Sequence, residues 1–205
     1  MHVNIGGVNV SRETINDLER FAGLVSKWTA KINLIARGSV ETLWERHVID
    51  SVQVYRFAPD YYEKWVDLGS GGGFPGIVAA IVAKEKHPNA VFVLIESDQR
   101  KATFLRTAAR ELDLPVTVLA SRIEEAPPQG ADVVTARALT ALSGLIPLVS
   151  RHLDSKGIAL LHKGRQVKQE IAEAHRTIAF ELEDHPSFTD PEGRLLVIQR
   201  INPLG

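Results

Sequence analysis

The chain of 205 residues contains no cysteine. Disulfides, thiolate metal sites and cysteine nucleophiles are excluded together. Charge of one sign is also missing: 24 basic residues stand against 25 acidic ones, so a polyanionic partner has to be met by a local patch. No stretch approaches the roughly 18 apolar residues of a spanning helix, and no cationic segment followed by an apolar core opens the chain. A soluble, cytoplasmic protein with no membrane partner and no obligate protein partner is expected. There is no internal repeat, no low-complexity tract and no G-x-x-x-x-G-K-[ST] run, which removes the P-loop. With 44% hydrophobic residues the chain can still build one domain with a sizeable core and a short appendage.

Hydrophobic periodicity gives the organisation. Behind a Ser11 N-cap, Ile15, Leu18, Phe21, Leu24, Val25, Trp28 and Ile32 recur at helical spacing. A second amphipathic stretch starts at Ser39 and carries Val40, Leu43, Trp44, His47, Val48, Ser51, Val52 and Tyr55 on one side. These two helices predict an N-terminal cap over residues 1–60, followed by one compact unit over 61–205. From Trp65 onward strands alternate with helices: 65–68, 91–96, 116–120, 132–136 and 158–162. That alternation predicts an α/β fold with a mainly parallel, doubly wound sheet. Two last strands, 180–186 and 195–201, flank the turn sequence Asp190-Pro191-Glu192-Gly193 and predict a closing antiparallel hairpin, making seven strands.

Trp65 to Gly76 carries the most chemistry. A strand ends near Asp67, a loop follows with Gly69, Gly71 and Gly73, and Pro75 opens an apolar helix. Such a strand, bare turn and helix start bring backbone close to a nucleotide-like ligand. Two registers fit: Gly71 to Gly76 matches the dinucleotide pattern G-x-G-x-x-G, and Asp67 to Gly73 matches the D-x-G-x-G-x-G pattern of Rossmann-like methyltransferases. Pro75 removes an amide that a pyrophosphate would need. A carboxylate at Asp67 repels phosphate but suits the ammonium and sulfonium of S-adenosylmethionine. A glycine turn required only for tight packing is the plain alternative. One strand later, an apolar run ends at Glu96, roughly 20 residues past the glycines, where an acid reaches ribose hydroxyls; a simple helix cap is the competing role.

Ligands in such sheets bind beyond the carboxyl ends of the strands. The remaining polar residues there are Arg122 with Glu124, Arg137, and Lys163 with Gly164. Arg137 and Lys163, on adjacent strand tips, can anchor an anionic substrate such as polynucleotide phosphate. Arg137 can equally pair with Glu124 or Asp67 as a structural salt bridge. Thr135-Ala136-Arg137-Ala138 lacks the Asn or Asp, Pro-Pro and aromatic that hold an exocyclic amine acceptor, and the missing cysteine excludes covalent cytosine-C5 methylation.

On these positions the sequence resembles the GidB family, bacterial small-subunit rRNA guanine-N7 methyltransferases also called RsmG. The resemblance rests on Asn33-Leu34, Arg46-His47 with Asp50-Ser51, Asp67 through Gly76, Glu96-Ser97 with Arg100-Lys101, Arg122 and Glu124, Arg137-Ala138 and Lys163-Gly164, and spans about Trp28 to Glu170. Ile123 departs from the small residue more usual there. The resemblance implies a class I fold, S-adenosylmethionine as donor, and one guanine of the decoding-region loop of 16S rRNA as acceptor, in naked rRNA or in the small ribosomal subunit. It also implies Gly69 and Phe74 at the methionine and ribose side, Ile123 and Glu124 at the adenine, and Arg137 at the pocket border, with no metal. Glu96 joins this set from spacing alone. His47, on an apolar face, reads as a core or capping histidine ahead of a catalytic base. A small-molecule methyltransferase and a non-catalytic RNA-binding module remain the rivals; the Arg137, Lys163, Arg165 and Lys168 cluster speaks for RNA.

Overall fold

The computed structural model of the protein describes residues 2–203. It opens with a hairpin of β1 (His2–Ile5) and β2 (Val8–Ser11), which precedes the expected first helix. Gly6 and Gly7, both at positive φ, form its turn, and buried Val8 and Val10 fix it to the core. The Ser11 hydroxyl then accepts the Thr14 amide at 3.2 Å and caps α1 (Arg12–Thr29). Leu18, Phe21 and Val25 face inward as a 3.6-residue period requires, and Ile32 falls beyond the helix end.

The second N-terminal segment is not the regular helix expected from Ser39. It winds as a π-helix over Trp44–Ile49, becomes α2 (Asp50–Val52), and tightens to a 3₁₀ turn over Gln53–Phe57. π-Winding interrupts the ordinary hydrogen-bond ladder and is frequent at functional sites. Here it carries His47 and Asp50 to the crevices described below.

The sheet has the order β5-β4-β3-β6-β7-β9-β8. Strands β3 (Lys64–Leu68), β4 (Val91–Ile95), β5 (Val116–Leu119), β6 (Ala131–Arg137) and β7 (Leu153–Lys163) run parallel. The expected hairpin is present as β8 (Ile178–Pro186) and β9 (Arg194–Pro203), antiparallel to each other, with β9 antiparallel to β7. Its turn closes where the composition placed it, the Gly193 amide donating to Asp190 O at 2.9 Å. On one face α1, α3 (Gly76–Lys86) and α4 (Gln99–Glu111) bury Phe21, Ile77 and Phe104. On the other, α5 (Leu142–His152) and α6 (Val167–Ala174) bury Ile146, Val149 and Val167. Both faces are covered, which is why the central strands read as continuous apolar runs. The chain leaves β3 toward β4 and β5, then returns to β6 on the other side of β3. A crevice opens at that reversal, beyond the carboxyl ends.

Trp65 couples the core to that crevice. Fully buried, it lies between Tyr55 and Phe92, with centroids at 5.8 and 5.6 Å, and its indole N–H donates to Thr135 Oγ1 at 3.0 Å. Thr135 in turn donates to Asp67 Oδ1 at 2.7 Å. Trp65→Ala is expected to cost about 3–5 kcal/mol in urea unfolding, whereas Tyr61→Ala, at an exposed ring, is expected to stay within about 0.5 kcal/mol. A Trp65→Ala cost no larger than that of Tyr61→Ala would contradict this packing.

Candidate active site

The loop after β3 is held by backbone. The amides of Gly69 and Ser70 both donate to Ile95 O, at 2.9 and 3.1 Å, and the Gly73 amide donates to Ser70 O at 2.7 Å. Gly69, Gly71 and Gly73 all sit at positive φ. At Gly73 the constraint is also steric, since a Cβ would lie 2.9 Å from both Ile77 Cγ1 and Phe21 Cζ. At Gly72 it would lie 2.9 Å from the Leu34 carbonyl, so the segment around Asn33-Leu34 closes directly onto the loop.

Glu96 clamps the loop from β4. Its Oε2 accepts the Gly71 amide at 2.8 Å and its Oε1 the Asp98 amide at 2.7 Å. The α4 cap is Asp98, which accepts from the amides of Arg100 and Lys101. Two of the roughly four acceptor sites of the Glu96 carboxylate remain for a ligand. Glu96, Gly69, Gly71, Phe74, Ile123, Glu124 and Arg137 all line one crevice of about 640 Å³. The structure thus brings together most of the residues selected from sequence. Ile123 is mostly buried, and its carbonyl accepts from His152 Nε2 at 2.9 Å, which fixes the 122–124 turn at the crevice edge.

Asp67 and Gly73 lie apart from this wall. Asp67 is enclosed beneath the loop, against Gly76, where a Cβ would come within 2.6 Å of its Oδ2. Burial raises its carboxyl to about 6, and the Thr135 hydroxyl offsets only part of that cost.

A second crevice of about 600 Å³ abuts the first, and the two share His47, Arg137 and the turn Ala138 to Thr140. Arg137 ends β6, and Ala138 follows at φ +52, a left-handed conformation uncommon outside glycine. The counter-ion of Arg137 is neither Glu124 nor Asp67 but Asp50, with Nη1 to Oδ2 at 3.1 Å. Nη1 also donates to Arg46 O at 3.3 Å, and Nη2 donates to His47 Nδ1 at 2.7 Å. The guanidinium stands 5.2 Å from the Phe74 ring centroid. This leaves the Nε–H and one Nη2–H for other partners.

Because arginine cannot accept a hydrogen bond, His47 Nδ1 is the acceptor and its proton sits on Nε2, which is buried without a partner. Burial, then the Arg137 charge, pushes His47 down to about 4. It is a neutral ring whose basic nitrogen is occupied. Asp50 resists burial because His162 and Arg137 outweigh it and hold the carboxyl below its usual range. Its partners Ser187 and Thr189 come from the β8–β9 connection, and no signal in the sequence joins them to Asp50.

Lys163 also lines the second crevice, beside Arg137 as expected, but it is already neutralised. Its Nζ lies 2.6 Å from Glu170 Oε2 and donates to Thr140 O at 2.8 Å. Arg165 pairs with Glu192 at 3.4 Å. The Arg137, Lys163, Arg165 and Lys168 cluster is therefore largely self-compensated. By contrast α4 presents Arg100, Lys101, Arg106 and Arg110 with no ion pair among the described residues, and Lys101 reaches the first crevice.

Asp67 has a pH signature. Its proton is held more tightly folded than unfolded, so its contribution to stability is complete below about 3.8 and is lost as pH rises through about 6. Ionisation costs the fold about 3 kcal/mol. Asp67→Asn, which cannot ionise, is expected to gain on the wild type by about that amount between pH 4 and 7 in denaturant unfolding. A pH-independent difference would place the charge in solvent.

The GidB family model, described as rRNA small subunit methyltransferase G, matches residues 14–195. A protein named ribosomal RNA small subunit methyltransferase G from Cereibacter sphaeroides strain ATCC 17025 is 52% identical over 192 residues, covering 94% of this chain and 92% of that one. The protein of that name from Ruegeria pomeroyi is 49% identical over 191 residues, covering 93% of each. Among solved structures, a TehB-like SAM-dependent methyltransferase from Corynebacterium glutamicum superposes with TM-score 0.57 at 13% identity, covering 91% of this chain and 99% of that one. A SAM dependent methyltransferase from Aquifex aeolicus gives TM-score 0.57 at 12% identity over 77% of this chain and 91% of that one. These two share the fold. The family match and the close relatives decide the assignment: the chain belongs to the GidB family of rRNA small subunit methyltransferases.

Proposed function

We propose that the chain transfers the methyl group of S-adenosylmethionine to N7 of one guanine in the decoding-region loop of 16S rRNA, naked or within the small subunit. The observation that carries this reading is the pair of abutting crevices with Arg137 in their common wall. The first fits the donor. Its loop presents Gly69, Gly71 and Gly72 without a Cβ, its volume lies in the usual range for such ligands, and Glu96 keeps acceptor capacity for ribose hydroxyls. Asp67, ionised above about pH 6, places negative charge beneath the loop, which favours a sulfonium above it. The donor supplies an activated methyl group, and the remaining chemistry is positioning.

Guanine N7 carries an in-plane lone pair and no proton, so no base has to remove one. The neutral, occupied His47 accords with that requirement. In-line alignment of reacting atoms supplies about 7–11 kcal/mol, and the second crevice, open beside Arg137, is where the base would enter. The free donors of Arg137 can hold the guanine O6 or a phosphate. A polynucleotide acceptor is supported by the cations of α4, which make no ion pair among the described residues and whose first turn borders the donor crevice.

Transfer of labelled methyl to 16S rRNA and to small subunits, followed by nucleoside mapping, tests the reading; 7-methylguanosine is the expected product, and any other methylated base refutes it. Raising salt should weaken RNA binding with a log–log slope of about −0.7 per phosphate contacted; a salt-independent KM would favour a small-molecule acceptor. Arg137→Lys keeps the charge but loses the fork. It is expected to lower kcat/KM on the order of 10²-fold, with binding of S-adenosylhomocysteine retained in calorimetry.

A further inference from the structure

We propose, on the basis of the methyl-transfer reading above, that Asp50 is a positioning residue: its carboxylate keeps Arg137 neutralised at the acceptor crevice, so that the cation formed on the guanine meets no unpaired positive charge. The carboxylate is held from both oxygens. Oδ1 accepts from Gln53 Nε2 at 2.6 Å, Thr189 Oγ1 at 3.0 Å and Ser187 Oγ at 3.2 Å, while Oδ2 faces Arg137 Nη1 at 3.1 Å and His162 Nε2 at 3.6 Å. A carboxylate offers about four acceptor sites. Asp50 lines the crevice, but its Oδ1 is fully occupied and its Oδ2 is turned to Arg137, so it acts through Arg137.

Charge bookkeeping gives it that task. As the N7 lone pair bonds to the methyl carbon, the carbon–sulfur bond breaks and its electron pair stays on sulfur. The positive charge of the sulfonium ends on the guanine ring. An uncompensated guanidinium in a partly buried wall would oppose this more strongly than one in water. Arg137, Lys163 and Arg194 of the crevice each have a carboxylate partner, and Arg46 is exposed to solvent. The ring of His162, mostly buried, donates to Asp50 O at 2.9 Å and fixes the residue that supplies the counter-charge.

Asp50→Asn separates this from a role in folding alone. With rRNA and small subunits as substrates, kcat at saturating donor is expected to fall on the order of tenfold or more. The KM for RNA should stay level or fall, because the crevice becomes more positive, and S-adenosylhomocysteine affinity should hold within about twofold. Asp50→Glu, which restores the charge, should recover part of kcat. A kcat within about twofold of wild type, or kcat and RNA affinity worsening together in step with the unfolded fraction, overturns the proposal. If Asp50→Asn does not fold, the Ser187→Ala/Thr189→Val double variant removes two hydrogen bonds from Oδ1 and so loosens the carboxylate against Arg137. It is expected to lose kcat severalfold at unchanged RNA KM, and unchanged kcat in that folded variant overturns the proposal. Wild-type protein that transfers no methyl would instead refute the methyl-transfer reading itself.

Discussion

A guanidinium taken out of water needs a counter-charge, and in this fold Asp50 supplies it to Arg137 across 87 positions of sequence. Removing one partner of such a pair typically costs about 3–5 kcal/mol because the other is left uncompensated. The pair therefore fixes three distant pieces of chain relative to one another. Asp50 comes from the N-terminal segment, Arg137 from the tip of β6, and Ser187 and Thr189 from the connection between β8 and β9. Where they meet, the two crevices share a wall.

The first crevice follows a different principle. There the main chain does most of the shaping, because a Cβ at Gly69, Gly72 or Gly73 would collide with Leu139, Leu34, or Ile77 and Phe21. Glu96 is the exception, and it works by bridging two backbone segments, Gly71 and Asp98, and not by projecting freely. Asp67 contributes from below, at a folding cost set by its burial. The same site thus joins a loop determined by the absence of Cβ atoms to a wall determined by one buried charge pair.

Local signals made much of this legible in the sequence. The glycine loop, the acid ending β4, the parallel alternation and the Asp190 to Gly193 turn are each encoded within a few residues of where they act; Gly69, Gly71 and Glu96 line the first crevice, and Asp190 and Gly193 the second. Other features depend on partners far along the chain. The β1–β2 hairpin is short and buried on one side only, so its period is too brief to read. Residues 44–49 wind as a π-helix although their hydrophobic spacing reads as an ordinary helix. Lys163 and Arg165 looked available, but their carboxylates, Glu170 and Glu192, are brought to them by α6 and by the β8–β9 connection. Asp67 stood at a strand end in sequence, and only packing against Gly76 shows that it faces inward.

In the proposed function one crevice holds the methyl donor and its neighbour the guanine, with Arg137 between them. The most direct measurement is a crystal structure with S-adenosylhomocysteine and a short RNA carrying the target guanosine. The sulfur is expected over the Gly69 to Gly73 loop, with the guanine N7 edge facing it beside Arg137. Homocysteine sulfur elsewhere, or a guanine whose N7 points away from it, would rule this arrangement out.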